Sequence, residues 1–159
     1  MKLRVWLIIL VTHLFVGLFG FGLGIYTLPI LTAPESPTKA MLSKAHSSIR
    51  YTAEFTKDRT GSDLLHWGEG EVSISESAVT FEGELAPGPD YRLYLTKQFV
   101  ENESEFNQVK AQSLMIGQVT TFENFMVLLP QDTPLNEYNS IVVWCESFGE
   151  FITSARYNQ

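Results

Sequence analysis

The run VWLIILVTHLFVGLFGFGLGIYTLPIL, Val5 to Leu31, contains no Asp, Glu, Lys or Arg. As a helix it is about 40 Å long at roughly 1.5 Å per residue, against a hydrocarbon core of about 30 Å, so it predicts a membrane-spanning helix over 5–32 with 1–4 as a cytoplasmic stub. A cleaved signal peptide has a shorter apolar region, roughly 7–15 residues, and a small-x-small exit. Here the exit reads ILTAPESPTKA, with Pro34 directly after Ala33, so the segment is expected to stay as a signal anchor. Lys2, Arg4 and the amino terminus lie closer to the span than Lys39, Lys44 and Arg50, which predicts a single-pass protein whose C-terminal part is periplasmic or at the cell surface.

Two features within the span carry alternatives. Gly20 and Gly24 form a G-x-x-x-G, which would let two copies of the helix approach as a homodimer, although glycine is common in membrane helices without that role. His13 is the one imidazole in the span, readable as a haem ligand shared with a second copy or as a neutral ring near the headgroups.

Residues 33–49 exchange the apolar run for small polar residues and prolines and are expected to act as a linker, with His46 solvated. From 50 to 159 the pattern is that of strands. RYTAEFTK sets Tyr51, Ala53 and Phe55 on one face, EVSIS pairs Val72 with Ile74, AVTFEGEL pairs Val79 with Phe81, and YRLYLT sets Tyr91, Leu93 and Leu95 against Arg92, Tyr94 and Thr96. NFMVLLP and SIVVWC are continuous apolar runs of the kind buried on both faces. ENESEFNQVK is the one short helix expected, with Phe106 and Val109 on a common side. Turn signals at TGSD, GEG, APGPD and PQDTPLNEYN suit an all-β antiparallel sandwich behind one transmembrane helix.

All 18 acidic residues lie beyond position 32, while two of the 11 basic ones precede the span, so the domain is more acidic than the net charge of -7 indicates. Clustered cations for phosphate contacts are lacking, and a nucleic-acid partner is not expected. H-E-x-x-H, C-x-x-C, P-loop and G-x-S-x-G patterns are absent. The acidic stretches ENESE and SESAVTFEGE lack calcium-loop spacing and read as a solvated face. The NES at Asn102 is a glycosylation sequon in a pathway that uses one.

Cys145 is the only cysteine, so an internal disulfide is impossible. In a strand it shares a face with Ile141, Val143 and Ser147, while Val142, Trp144, Glu146 and Phe148 share the other. Free cysteine is among the most buried residue types, and a thiol of ordinary pKa, about 8.5, needs a neighbouring cation, metal or helix terminus to become a nucleophile. The local sequence offers only Glu146, on the opposite face, so nucleophilic catalysis is poorly supported.

LHWGEGEVSI, APGPDYRLYLT and YNSIVVWCESFGEFITSARY occur in an order and spacing that resemble the electron-transfer DM-thirteen domain across nearly all of Tyr51 to Tyr157. The resemblance implies a β-sandwich in extracytoplasmic redox chemistry, with Cys145 as a free thiol or as a ligand to a prosthetic group such as haem. It implies an electron-transfer or binding module rather than a stand-alone enzyme, with a separate redox protein or a bound cofactor as electron partner. His66 in HWGEG would be a second iron ligand or a hydrogen-bond partner of the thiol, with Gly68 and Gly70 admitting a flat cofactor; otherwise it belongs to a turn whose Trp67 caps the core. Trp67 and Trp144, beside these two residues, complete the candidate cofactor-binding set. Gly88 to Asp90 reads as a turn, with a metal role as the alternative. Against the redox reading stands a non-catalytic sandwich that binds a partner at the membrane surface, its cysteine merely buried.

Overall fold

The computed structural model describes residues 2–45 and 48–158, so the expectation for His46 lies outside the described residues. Helix α1 runs over Lys2–Thr32, and it is the one helix among the described residues that is long and apolar enough to cross a membrane. A lone apolar helix must satisfy its polar side chains internally. Thr12 Oγ1 donates to the Ile8 carbonyl at 2.9 Å, Thr27 Oγ1 to Leu23 at 2.8 Å and Thr32 Oγ1 to Leu28 at 2.8 Å. His13 Nδ1 donates to the Ile9 carbonyl at 2.8 Å, which makes the ring part of its own helix turn. The helix stops at Thr32, where Ala33 precedes Pro34 and is pushed out of the helical region by the proline ring.

Eight strands follow: β1 (Ile49–Phe55), β2 (Gly68–Ser75), β3 (Ala78–Leu85), β4 (Tyr91–Thr96), β5 (Leu114–Val119), β6 (Phe125–Leu128), β7 (Ser140–Cys145) and β8 (Glu150–Arg156). They form two antiparallel four-stranded sheets, ordered β1-β2-β3-β6 and β5-β4-β7-β8. The inward faces are those that period-two alternation selects. Phe55, Val72, Ile74, Val79 and Phe81 from the first sheet meet Leu93, Leu95, Ile141, Val143 and Ile152 from the second in one core.

The two apolar runs have different fates. SIVVWC is buried along its whole length, because helix α3 (Glu103–Val109) covers the outer face of β7. There Val142 and Trp144 pack with Tyr94, Phe106 and Phe151 into a second, smaller core. Asn102 caps α3 by accepting from the Glu105 N–H at 3.0 Å, and the Glu105 carboxylate accepts from the Glu101 N–H at 2.8 Å. The expectation that NFMVLLP is buried on both faces does not hold. β6 is the edge strand of the first sheet and its burial alternates, leaving Met126 37% and Leu128 70% exposed on the outer face.

The segment expected as a linker contains helix α2 (Lys39–Ala45), which lies against β3 with Leu42 fully buried. Asn124 ties the approach to it, donating from Nδ2 to the Pro37 carbonyl at 3.3 Å and accepting from the Gly83 N–H at 3.3 Å. Leu42→Ala is expected to cost about 2–3 kcal/mol in urea unfolding of the full chain, the lower range for a buried Leu truncation. An unchanged midpoint would mean that α2 does not dock.

Candidate functional site

Cys145 is the last residue of β7 and is 3% exposed. Its cross-strand partner is Tyr91, the first residue of β4. The Tyr91 hydroxyl donates to the Ala86 carbonyl at 2.7 Å, and burial, with the neighbouring Cys145 second, drives its pKa far up. Gly88 is required beside that ring, since a Cβ there would stand 2.5 Å from Tyr91 Cε1. The APGPD loop thus wraps one tyrosine and delivers Asp90 to the thiol.

The turn joining β7 to β8 does the rest. Glu146 N–H donates to the Asp90 carbonyl at 2.9 Å, Gly149 N–H donates to the Cys145 carbonyl at 2.9 Å, and Gly149 takes φ +69°, a conformation that favours glycine. Ser147 Oγ donates to Asp90 Oδ2 at 3.2 Å, and Arg92 pairs with Asp90 at 2.9 Å. Held in this way, the backbone N–H groups of Phe148, Asp90 and Ser147 act on the sulfur. Burial still dominates and pushes the thiol pKa up, with these three donors opposing it. Cys145 is a neutral thiol whose anion has a ready-made set of amide donors. Phe148, expected on the opposite face, lies on the same side as the thiol, because the alternation of β7 ends at Cys145 where the turn begins.

His66 is positioned by Asp63. Asp63 Oδ1 accepts from the N–H of Leu65 at 2.7 Å and of His66 at 2.8 Å, and Oδ2 accepts from His66 Nδ1 at 3.0 Å. The Leu65 N–H is the main reason that the Asp63 carboxyl lies below its ordinary value, with His66 adding to the effect. A carboxylate only accepts, so a proton sits on Nδ1, and Nε2 is the ring nitrogen left free of Asp63.

Cys145, Tyr91 and His66 line one cavity of about 270 Å³ at the end of the sandwich. Leu65, Phe148 and Ile152 supply apolar wall, Glu150 one carboxylate, and Gly22, Ile25 and Tyr26 of α1 close a side. The two tryptophans are elsewhere. Trp67 lies under Lys57, whose Nζ is 4.0 Å from the ring centroid, and Trp144 faces α3, buried, with Lys110 5.1 Å from its ring and no partner for Nε1. Glu146 is on that same outer face, accepting from the Tyr94 hydroxyl and pairing with Lys110 at 2.7 Å. Partial burial works to raise the Glu146 pKa, but Lys110 and Tyr94 outweigh it and hold the carboxyl low. Gly68 and Gly70 do not open onto the cavity. A Cβ on Gly68 would meet Thr153 Cγ2 at 2.6 Å, and Gly70, at φ +146°, abuts the backbone of Glu82, so both serve strand packing.

No group of three or more His, Cys, Asp or Glu that could hold a metal ion occurs among the described residues. Pockets for drug-sized ligands span about 300–1,000 Å³. At 270 Å³, with α1 as one wall, the cavity does not fit a tetrapyrrole. Of the candidate residues read from the sequence, the cavity brings together Cys145 and His66; Asp63, Tyr91 and Glu150 were not singled out there. The D-x-x-H spacing of Asp63 and His66 was the available signal, since an Asx turn places such a pair in contact.

Fold and cavity together define a β-sandwich module with an apolar N-terminal helix and a thiol and an imidazole on one pocket. The chain belongs to the Electron transfer DM13 family, whose model matches residues 49–157. No curated protein and no solved structure matches it.

Two outcomes test this geometry. The raised thiol pKa leaves less thiolate at any given pH, so the pH of half-maximal alkylation of Cys145 in the full-length protein should lie above that of a free cysteine, about 8.5. A profile at or below the free-cysteine value would show that the amide donors outweigh burial. Gly88→Ala should destabilise by about 1–3 kcal/mol through overpacking against Tyr91 and increase alkylation at pH 7.5, read by mass spectrometry.

Proposed function

We propose that this chain is a membrane-anchored, extracytoplasmic electron-transfer module in which Cys145 and His66 contact the redox-active group. The observation that carries the reading is that the only thiol and a carboxylate-held imidazole line one cavity, in a chain of an electron-transfer family. A single cysteine has no internal partner for disulfide formation, so electrons pass through a group bound in the cavity and on to a separate protein. His66 Nε2 offers that group a hydrogen-bonding nitrogen, and the Asp63 bond to Nδ1 fixes the orientation of the ring. Cys145 offers a polarisable neutral sulfur, with three amides ready for any negative charge that develops there. Lys2 and Arg4 support a cytoplasmic amino terminus.

Full-length protein extracted from its native membrane should give a reversible signal in an optical and electrochemical redox titration. Cys145→Ser should abolish that signal or move its midpoint. His66→Ala and Asp63→Asn should both move it, because both disturb the same imidazole. A preparation silent across the titration overturns electron transfer. Protease added outside intact cells or spheroplasts should digest the domain, and a protected domain overturns the orientation.

The burial of Cys145 in the main core favours a second reading, a binding module at the membrane surface with a structural thiol. On that reading the preparation is redox-silent, and Cys145→Ser only costs about 1–3 kcal/mol from placing a hydroxyl where sulfur was.

A further inference from the structure

We infer that the cavity is loaded from the bilayer and binds a lipid-soluble quinone in its hydroquinone form, ring inside and tail directed into the membrane. The inference rests on the reading of this cavity as the functional site.

The first argument is depth. A hydrocarbon core of about 30 Å takes roughly 20 helical residues. Counted from Val5, just beyond Lys2 and Arg4, it ends near Gly24 or Ile25. Gly22, Ile25 and Tyr26, the α1 residues that form a wall of the cavity, therefore stand at the outer edge of the lipid, and Tyr26 is at the level where aromatic residues concentrate.

The second argument is the sandwich end itself. Leu64 is 94% exposed, Leu65 56% and Phe148 54%. They come from two loops separate in sequence, and Leu65 and Phe148 line the cavity that α1 closes. Such a cluster is unfavourable in water and favourable in the headgroup and acyl boundary. The cavity mouth and the lipid surface then coincide.

The third argument is the lining chemistry. Among the described residues no Lys or Arg lines the cavity and the one carboxylate there is Glu150, so no fixed cation would balance a phosphate or carboxylate ligand. The volume of about 270 Å³ holds a substituted ring and excludes a whole phospholipid. Asp63 engages Nδ1, so Nε2 is the ring nitrogen available to a ligand, and in the neutral imidazole it accepts a hydrogen bond of the kind a hydroquinone hydroxyl donates.

The test uses full-length protein in liposomes, with a decyl-substituted benzohydroquinone as probe under anaerobic conditions. Saturable protection of Cys145 from maleimide is expected. His66→Ala should weaken the probe about 3- to 10-fold, the effect of one hydrogen bond, and Leu65→Trp, which fills the mouth, should abolish protection. In a Cys145→Ser background, a fluorophore on Leu64→Cys should be quenched by shallow nitroxide lipids, and one on Gln131→Cys, at the opposite end of the sandwich, should not. Protection that is absent, or equal in wild type, His66→Ala and Leu65→Trp, overturns the quinone site; an unquenched Leu64 label overturns loading from the bilayer. A redox signal without probe binding leaves electron transfer standing and sinks this inference alone.

Discussion

The pairing of β4 with β7 is the constraint on which the rest of this structure turns. These are the two interior strands of the second sheet, and their register sets Tyr91 opposite Cys145, Leu93 opposite Val143 and Leu95 opposite Ile141. Side chains alternate with period two, so a slip of one residue would send Cys145 to the α3 face and Trp144 into the space between the sheets. That space is already filled by aliphatic side chains, and an indole does not fit there without displacing them. The short turn after Cys145, pinned by Glu146 to Asp90 and by Gly149 back to Cys145, closes the register at the cavity end. Site and core are thus fixed by the same hydrogen bonds.

The two faces of β7 carry opposite electrostatics. Toward the sandwich lie a neutral thiol and a buried tyrosine, with no ion pair between them. Toward α3, Glu146, Lys110 and Tyr94 form a charged hydrogen-bonded set beside Trp144. The indole N–H there has no partner, a cost of about 1–3 kcal/mol for a buried donor. Lys110 over the same ring returns about 0.5–2 kcal/mol as a cation–π contact, so the two effects are of similar size and nearly offset. Placing the charges on the outer face leaves the cavity with a low-dielectric wall, and this is why burial outweighs three amide donors in setting the thiol pKa.

What the sequence made legible follows from periodicity. The facing sets in β1 to β4 and in β7 rest on alternation alone, and the helix at Glu103–Val109 rests on one apolar face, Phe106 and Val109. β5 was not legible, because LMIGQV does not alternate: the register shifts between Leu93 and Tyr94, and Gly117 is there to let Val127 approach. Edge exposure of β6 was hidden for a related reason, since an apolar run records composition and not which neighbours cover it. At the site, Cys145 stood out as a unique residue, whereas Tyr91 joins it only through register and the α1 wall only through tertiary placement. The glycines of HWGEG were legible as close-approach positions, but what approaches them is the chain's own Thr153 and Glu82.

The docking of α2 bears on how the cavity meets α1. A flexible linker has an r.m.s. span of about 5–6 Å × √n, so the roughly 17 residues from Ala33 to Ile49 would let the sandwich wander by about 20–25 Å and tumble freely. Leu42 buried against β3, and Asn124 holding the Pro37 carbonyl, shorten the free connection to the few residues between Thr32 and Pro37. With so short a lead, the sandwich cannot present an arbitrary face to the end of α1, and the end it does present is the one carrying Leu65, His66 and Phe148. The restriction keeps one side of the cavity against Gly22, Ile25 and Tyr26 of α1, while α3 packs on the far face of β7.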